Sequence, residues 1–278
     1  MGRSKTANIP DLSSLLTPKN PLMLAVEQAV LRGHEWARTS APIAEQIAAR
    51  LAGVITLDLV HAGQRLLESD ISEVLRVSRA PVREALRILE RDRLVEFQSR
   101  RGALVTAPDA NELRDIFAVR AALYAILLEQ LMSERPADLA AVFEEHMPKL
   151  EHAAEESVDA YAVASFLLNF AIADLCSNRL LVDLLKSIAL RTLRYVRLGL
   201  AGAPAMLPNA VKSWRALARA VARGDVAQVL ETAARRITDT RDAAVRAIEP
   251  PARRARAAVQ IPVRARSPLR AGAQSPRR

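Results

Sequence analysis

From residue 42 onward, apolar side chains recur three or four residues apart, the spacing that gathers them on one face of an α-helix. In PIAEQIAARLAGVI, residues 42–55, Ile43, Ile47, Leu51 and Val54 form such a face, and Pro42 suits a first helical turn. The segment LLESDISEVLRV, 66–77, predicts a short second helix that buries Leu67, Ile71, Val74 and Leu75. A third follows in VSRAPVREALRILERDRLV, 77–95. Its apolar stripe is Val82, Ala85, Leu86 and Leu89, while Arg79, Arg83 and Arg87 stand four apart on the opposite side. Ser78 is placed to cap this helix, and Pro81 still lies in the first turn, where a missing N–H costs little. LVEFQSRRGALV, 94–105, then gives two short β-prone runs around Ser99 to Gly102, a hairpin in which glycine supplies the awkward backbone angle.

Beyond residue 108 the helical period continues to 249. Asp109 with Glu112 makes a capping-box start to a helix running past Leu131. Further helices are predicted at 137–155, 158–176, 179–199, 207–223 and 226–248, with Asn178 and Gly224-Asp225 at tight connections. Six helices of this length make an antiparallel bundle, an architecture that holds ligands between facing helices. Residues 1–38 carry Pro10, Pro18, Pro21 and one helix-forming run, LMLAVEQAVLRG, and read as a partly ordered arm. The expected organisation is therefore an arm at 1–38, a small helix-and-hairpin domain at 39–107, an all-α domain at 108–249 and a tail at 250–278.

Composition sharpens this in several places. A chain of 278 residues, half of them hydrophobic, is long enough for two cores. Its net charge is +9, yet residues 250–278 hold eight arginines and no acid, leaving +1 over residues 1–249, 32 basic against 31 acidic. That tail, rich in Pro, Ala and Arg without apolar periodicity, is expected to be disordered. It either adds nonspecific phosphate attraction or is a drifting extension in an arginine-favouring proteome, since arginine outnumbers lysine 35 to 5. Within the folded part, Arg76 to Arg101 contains eight arginines against Glu84, Glu90, Asp92 and Glu96, a local +4. The single cysteine, Cys176, excludes an internal disulfide framework and argues against a zinc ribbon; it reads as a small buried side chain. No run of uncharged apolar residues approaches the ~18 of a membrane span, and Asp11 interrupts what a secretory signal would need, so a cytoplasmic protein with no membrane partner is expected.

Helix, helix, tight turn, helix and hairpin is the outline of a winged helix-turn-helix. Its third helix, docked by the apolar stripe, presents an arginine ridge long enough to enter a DNA major groove, where a guanidinium grips a guanine edge with two hydrogen bonds. A merely solvated basic face has the same pattern. Three coincident features favour DNA: the short turn before the helix, arginines near its N-terminus and a basic hairpin after it.

The stretch VSRAPVREALRILERDRLVEFQSRRGALV resembles the DNA-binding signature of GntR-type bacterial transcription regulators, in which V-S-R-T-P-V-R-E-A-L is followed by L-x-x-x-G-L-V and a wing ending R-G-x-x-V. By that resemblance Arg79 and Arg83 read bases, Ser78 and Arg87 contact the backbone, and Arg101 with Gly102, beside Arg100, brings the wing to the adjacent minor groove. Arg76 and Arg93 stand where the family usually has glycine, and Ala80 where it has threonine. Losing the threonine removes a hydroxyl contact, which Arg76 can replace with a phosphate contact. The family also implies a homodimer on double-stranded DNA, reading a short inverted repeat.

The order of domains resembles the FadR-like branch, whose C-terminal helical domain is called FCD. Many FCD bundles hold a metal through an Asp-x-x-x-His pair and two later histidines. Aligned on Asn178 and Gly224-Asp225, those positions are Ser165, Asn169, Trp214 and Arg236. Indole and guanidinium have no lone pair to give, so no metal or other cofactor is expected. His34 and His61 fall in the arm and a loop, and His146 and His152, six apart, fall on different helix faces. A small organic acid is expected instead, held by Arg236 and Arg120, with Arg191 or Arg194 nearby and Trp214 and Phe166 as walls, because arginine is best shaped to grip a carboxylate. Tyr124 stands where the family has glutamate. The other arrangement pairs Arg236 with an internal acid such as Asp174 and leaves no effector site. A regulator of this kind contrasts with one alternative, a nonspecific nucleic-acid binder driven by the tail over a ligand-free bundle. The sequence holds no Ser-His-Asp set, paired histidines, phosphate-binding glycine loop or CxxC, so an enzyme is not expected.

Overall fold

The computed structural model describes residues 21–32, 42–98 and 102–249, and residues 21–248 belong to one unit. Arg100, Arg101 and the basic tail lie outside the described residues. The protein is mainly α-helical, with a small winged helix-turn-helix followed by an all-α bundle.

Helix α1, Pro21–Arg32, packs across α2, Ile43–Thr56, and buries Met23, Val26 and Ala29. Part of the stretch expected as an arm is thus core, because its apolar residues repeat at helical spacing. On α2 the buried face is Ile47, Leu51, Val54 and Ile55. Ile43 departs from expectation: it opens the helix and remains 51% exposed. Helix α3, Glu68–Leu75, buries Ile71 and Ser72 and leaves Leu67, Val74 and Leu75 half-buried, since eight residues make only about two turns.

Helix α4, Arg79–Arg91, docks on α2 through Val82, Ala85, Leu86 and Leu89, the stripe its sequence predicts. Each Val or Leu buried there stabilises the docking by about 2 kcal/mol. Ser78 occupies the N-cap position in extended backbone, but its side chain makes no capping hydrogen bond, a departure from the predicted cap. Strands β1, Arg65–Leu66, β2, Val95–Gln98, and β3, Gly102–Val105, form an antiparallel sheet in the order β1-β3-β2. In the hairpin Val95 faces Val105 and Gln98 faces Gly102. Gly102 has φ +79°, and a Cβ there would come within 3.2 Å of the Leu66 carbonyl, so glycine is needed on both counts. Strand β1, with two residues, is too short to carry a period, and the sequence pattern does not predict it.

The bundle contains α5, Ala110–Glu134; α6, Pro136–Glu156; α7, Val158–Asp174; α8, Arg179–Ala201; α9, Leu207–Ala222; and α10, Val226–Ile248, with a single 3-10 turn at Pro204–Met206. Asp109 and Glu112 complete a reciprocal capping box, with Asp109 Oδ1 accepting from the Glu112 backbone at 3.0 Å. Ser157 and Asn178 cap α7 and α8, accepting from Ala160 and Leu181 backbone amides at 3.0 and 3.2 Å. Helix α5 is long and apolar enough to cross a membrane by length and composition, but Leu113, Phe117, Leu127, Leu128 and Leu131 are buried in the bundle core. Helix α10 lies against both α5 and α8. Its approach to α8 depends on Gly199, where a Cβ would sit 2.8 Å from the Ala243 carbonyl carbon. A second core joins the two halves, with Phe166 and Phe170 of α7 and Leu190 and Leu193 of α8 packed together with Val26 of α1 and Ile47 of α2.

Candidate functional site

Opposite its buried stripe, α4 turns Arg79, Ala80, Arg83 and Arg87 to solvent, and Arg76 and Ser78 before it are also exposed. Arg83 donates to Glu68 at the start of α3 through Nε at 3.0 Å and Nη2 at 2.9 Å. This fork fixes where the guanidinium points. Its hydrogen bonds hold the Glu68 carboxyl below the usual carboxylate range, and the charges of Arg83, Arg79 and Arg87 add to the effect. Among the described residues Arg79 and Arg87 have no ion-pair partner, leaving two guanidinium groups on this face without an anion.

Backbone geometry at the two ends of α4 has a common feature. Arg76, with φ 53°, ends α3, and Arg93, with φ 58°, follows α4. Both occupy left-handed positions that cost a side chain with a Cβ about 1 kcal/mol relative to glycine. What arginine adds is charge beside the basic face.

Inside the bundle a cavity of about 280 Å³ opens between α5, α7, α8, α9 and α10. Buried Arg120, Ser165 and Arg236 line it together with Phe117 and Tyr161; exposed Asn209 and Asp239 stand at its rim. Arg236 is 7% exposed, and its Cζ sits 3.6 Å from the centroid of the fully buried Trp214 ring. Its Nε and Nη2 are buried and, among the described residues, make no hydrogen bond of good geometry, with the Tyr124 hydroxyl nearby. Arg120 donates from Nη1 to Thr192 Oγ1 at 2.8 Å. Burial lowers the Arg120 pKa to about 10, and the nearby Arg236 charge adds to this; burial lowers Arg236 as well. Burial also raises the Tyr161 hydroxyl to about 12, so it remains a neutral donor.

The predicted effector residues divide accordingly. Arg120, Ser165 and Arg236 share the cavity. Trp214 lies behind Arg236 as a platform. Asn169, one turn from Ser165, donates to the Ser165 carbonyl at 2.6 Å and faces Arg120 and Tyr124 outside the main cavity. Phe166 is no wall: its ring packs at a 45° tilt against Phe170, centroids 4.3 Å apart, in the core joining the two halves. Arg191 and Arg194 are elsewhere too. Arg194 forms an ion pair with Asp58, just after α2, while Arg191 lies in a cleft with Arg93, Thr106 and Glu112. Asp174 pairs with Lys186 rather than Arg236.

The positions that carry metal ligands in many FCD bundles do not fit a metal here. Serine, asparagine, tryptophan and arginine supply no anionic or imidazole donor, and the cationic Arg236 guanidinium lies directly on the Trp214 ring. Among the described residues no group of three or more His, Cys, Asp or Glu could hold an ion. Asn209, Ser213, Asp239 and Thr240 line the cavity without having been expected there. The signal for two of them is helical: Asp239 and Thr240 follow Arg236 by three and four positions on α10.

Comparison with known proteins matches residues 43–105 to the family described as "Bacterial regulatory proteins, gntR family" and residues 115–239 to the FCD domain. An uncharacterised HTH-type transcriptional regulator, YdhC of Bacillus subtilis, is 27% identical over 128 residues, covering 45% of this chain and 57% of that protein. The gluconate operon transcriptional repressor of Bacillus licheniformis is 30% identical over 103 residues, 36% of this chain and 42% of that protein. The match thus spans about half the length of these relatives. Among solved structures, E. coli McbR/YncC superposes with a TM-score of 0.67 at 19% identity, covering 76% of this chain and all of that one. A putative GntR regulator from Rhodococcus sp. RHA1 gives 0.59 at 24% identity, covering 74% and 97%.

Proposed function

Because the chain belongs to the GntR family and carries that family's DNA-binding domain ahead of an FCD domain, we propose that it is a sequence-specific transcriptional regulator whose operator binding responds to a small organic acid. It acts as a homodimer on a short inverted repeat, each copy placing α4 in a major groove with the wing beside it. It is not an enzyme; its relatives are named as regulators.

One observation carries the DNA reading: the exposed arginine face of α4, with Arg83 aimed by Glu68 and Arg79 and Arg87 unpaired among the described residues. In this reading Arg79 and Arg83 contact bases, while Ser78, Arg87 and Arg76 contact phosphates. Ala80 offers a methyl group to the groove floor. Gly102 sets the turn that carries the wing, and Arg100 and Arg101 supply its charge.

The acid reading rests on two buried guanidinium groups in one cavity, neither of them ion-paired among the described residues, while the carboxylate of Asp239 stands exposed at the rim. A buried charge without a counter-charge is costly, and a ligand carboxylate removes that cost. Selection from a random duplex pool tests the DNA half: the expected product is an inverted repeat bound by two chains, and recovery of no shared sequence would refute it.

A further inference from the structure

The geometry points to a narrower ligand for this cavity: a monocarboxylate whose far end donates hydrogen bonds, as a hydroxyl or an ammonium does. This rests on the acid reading above and adds to it what the outer half of the cavity demands.

The two ends of the cavity differ in chemistry. Its floor is cationic, with Arg120 and Arg236 both buried and both able only to donate. The polar groups of the upper walls and rim are acceptors at Ser213, Thr240 and Asp239, while the Asn209 amide beside them both donates and accepts. Ser213 commits its hydroxyl hydrogen to the Ala210 carbonyl at 2.8 Å, and Thr240 commits its own to the Arg236 carbonyl at 2.8 Å. Each therefore offers the cavity only oxygen lone pairs. Asp239 adds a carboxylate at the rim that has no ion-pair partner among the described residues. Val196, Leu200 and Ala210 add apolar surface to the lining.

A carboxylate seated on the guanidinium groups leaves its other end facing these acceptors. A hydroxyl or ammonium there finds partners. A second carboxylate meets the lone pairs of Ser213 and Thr240 and the like charge of Asp239, with the Asn209 amide as the rim side chain able to donate to it, so repulsion outweighs attraction there. A methyl end gives the half-buried Ser213 and Thr240 oxygens no donor, which also costs affinity. The volume of about 280 Å³ equals the share of about nine waters in the liquid, a size that suits acids of about four to six carbons.

Calorimetric titration of the full-length protein tests this with matched straight-chain acids of about four to six carbons, ending in hydroxyl, amine, methyl or carboxylate. The hydroxyl- or amine-ended acid is expected to bind at least about tenfold tighter than the diacid and the methyl-ended acid of the same length. Asp239→Asn should narrow the gap between amine-ended acid and diacid, and Arg236→Gln should remove binding of all four. A diacid that binds as tightly as its hydroxyl-ended match would overturn the inference and leave the acid reading standing. If no acid in the series binds, both fail together.

Discussion

Arg194 of α8 forms an ion pair with Asp58, the residue two positions past the end of α2, and joins the bundle to the DNA-binding domain through side chains only 9% and 20% exposed. Two residues earlier on α8, Thr192 accepts the hydrogen bond from Arg120 on the cavity floor. One helix thus touches the cavity and the DNA-binding domain within a single turn. A ligand that draws on Arg120 acts on the same stretch of α8 that holds Asp58.

Asp58→Asn is expected to weaken that link. It leaves the Arg194 guanidinium enclosed without its counter-charge, and breaking a buried pair in this way costs about 3 kcal/mol. Urea unfolding should show the lost stability. DNA titrations with and without a bound acid should show the ratio of affinities falling toward one, whereas a wild-type ratio in the variant would exclude this route.

Glu68→Gln frees Arg83 from its fork and removes a negative charge from the basic face. The expected outcome is tighter binding to arbitrary DNA and a smaller preference for the operator, since the guanidinium is no longer aimed. The pH behaviour follows from Glu68, whose folded carboxyl titrates below its unfolded value. The contribution of the pair is present above the ordinary carboxylate range and is lost only as pH falls through the lowered folded pKa. Wild-type operator preference should therefore hold unchanged from pH 8 down to about pH 5.

Arg76→Gly and Arg93→Gly should each raise stability by about 1 kcal/mol, because glycine adopts the left-handed backbone without cost. Arg76→Gly should also weaken DNA binding and reduce the salt slope by about one. Thermal unfolding and salt-dependent anisotropy separate the two effects.

Gly199→Ala forces a methyl group against the α10 backbone at Ala243. The helices must part, at an expected cost of about 1–3 kcal/mol. Because Leu200 and Ala243 both line the cavity, acid binding should fall with stability in calorimetry.

Much of this architecture was legible because its punctuation is chemical. Asp109, Asn178 and Gly224 mark helix boundaries that agree with α5, α8 and α10 to within a residue or two. The stripe and ridge of α4 need only the helical period. The cavity was harder, since proximity between distant helices has no period. The cavity side of α8 is Thr192, Val196 and Leu200, four apart; Arg191 and Arg194 lie about 100° and 200° around the helix from Thr192 and so face the DNA-binding domain. That rotation was readable once Thr192 was known to face inward, but only the fold supplies that fact. The packing of α1 was hidden similarly: Met23 and Val26 repeat as a helix should, yet what they bury against is another element.

The most direct test of the central claim is fluorescence anisotropy of the full-length protein on its selected operator and on a scrambled duplex at one fixed salt concentration. Arg79→Ala, at an exposed position that leaves the fold intact, should lose about 1–3 kcal/mol on the operator and bind the scrambled duplex much as wild type does. An Arg79→Ala protein that binds the operator with full wild-type affinity would contradict the assignment of α4 as the helix that reads DNA.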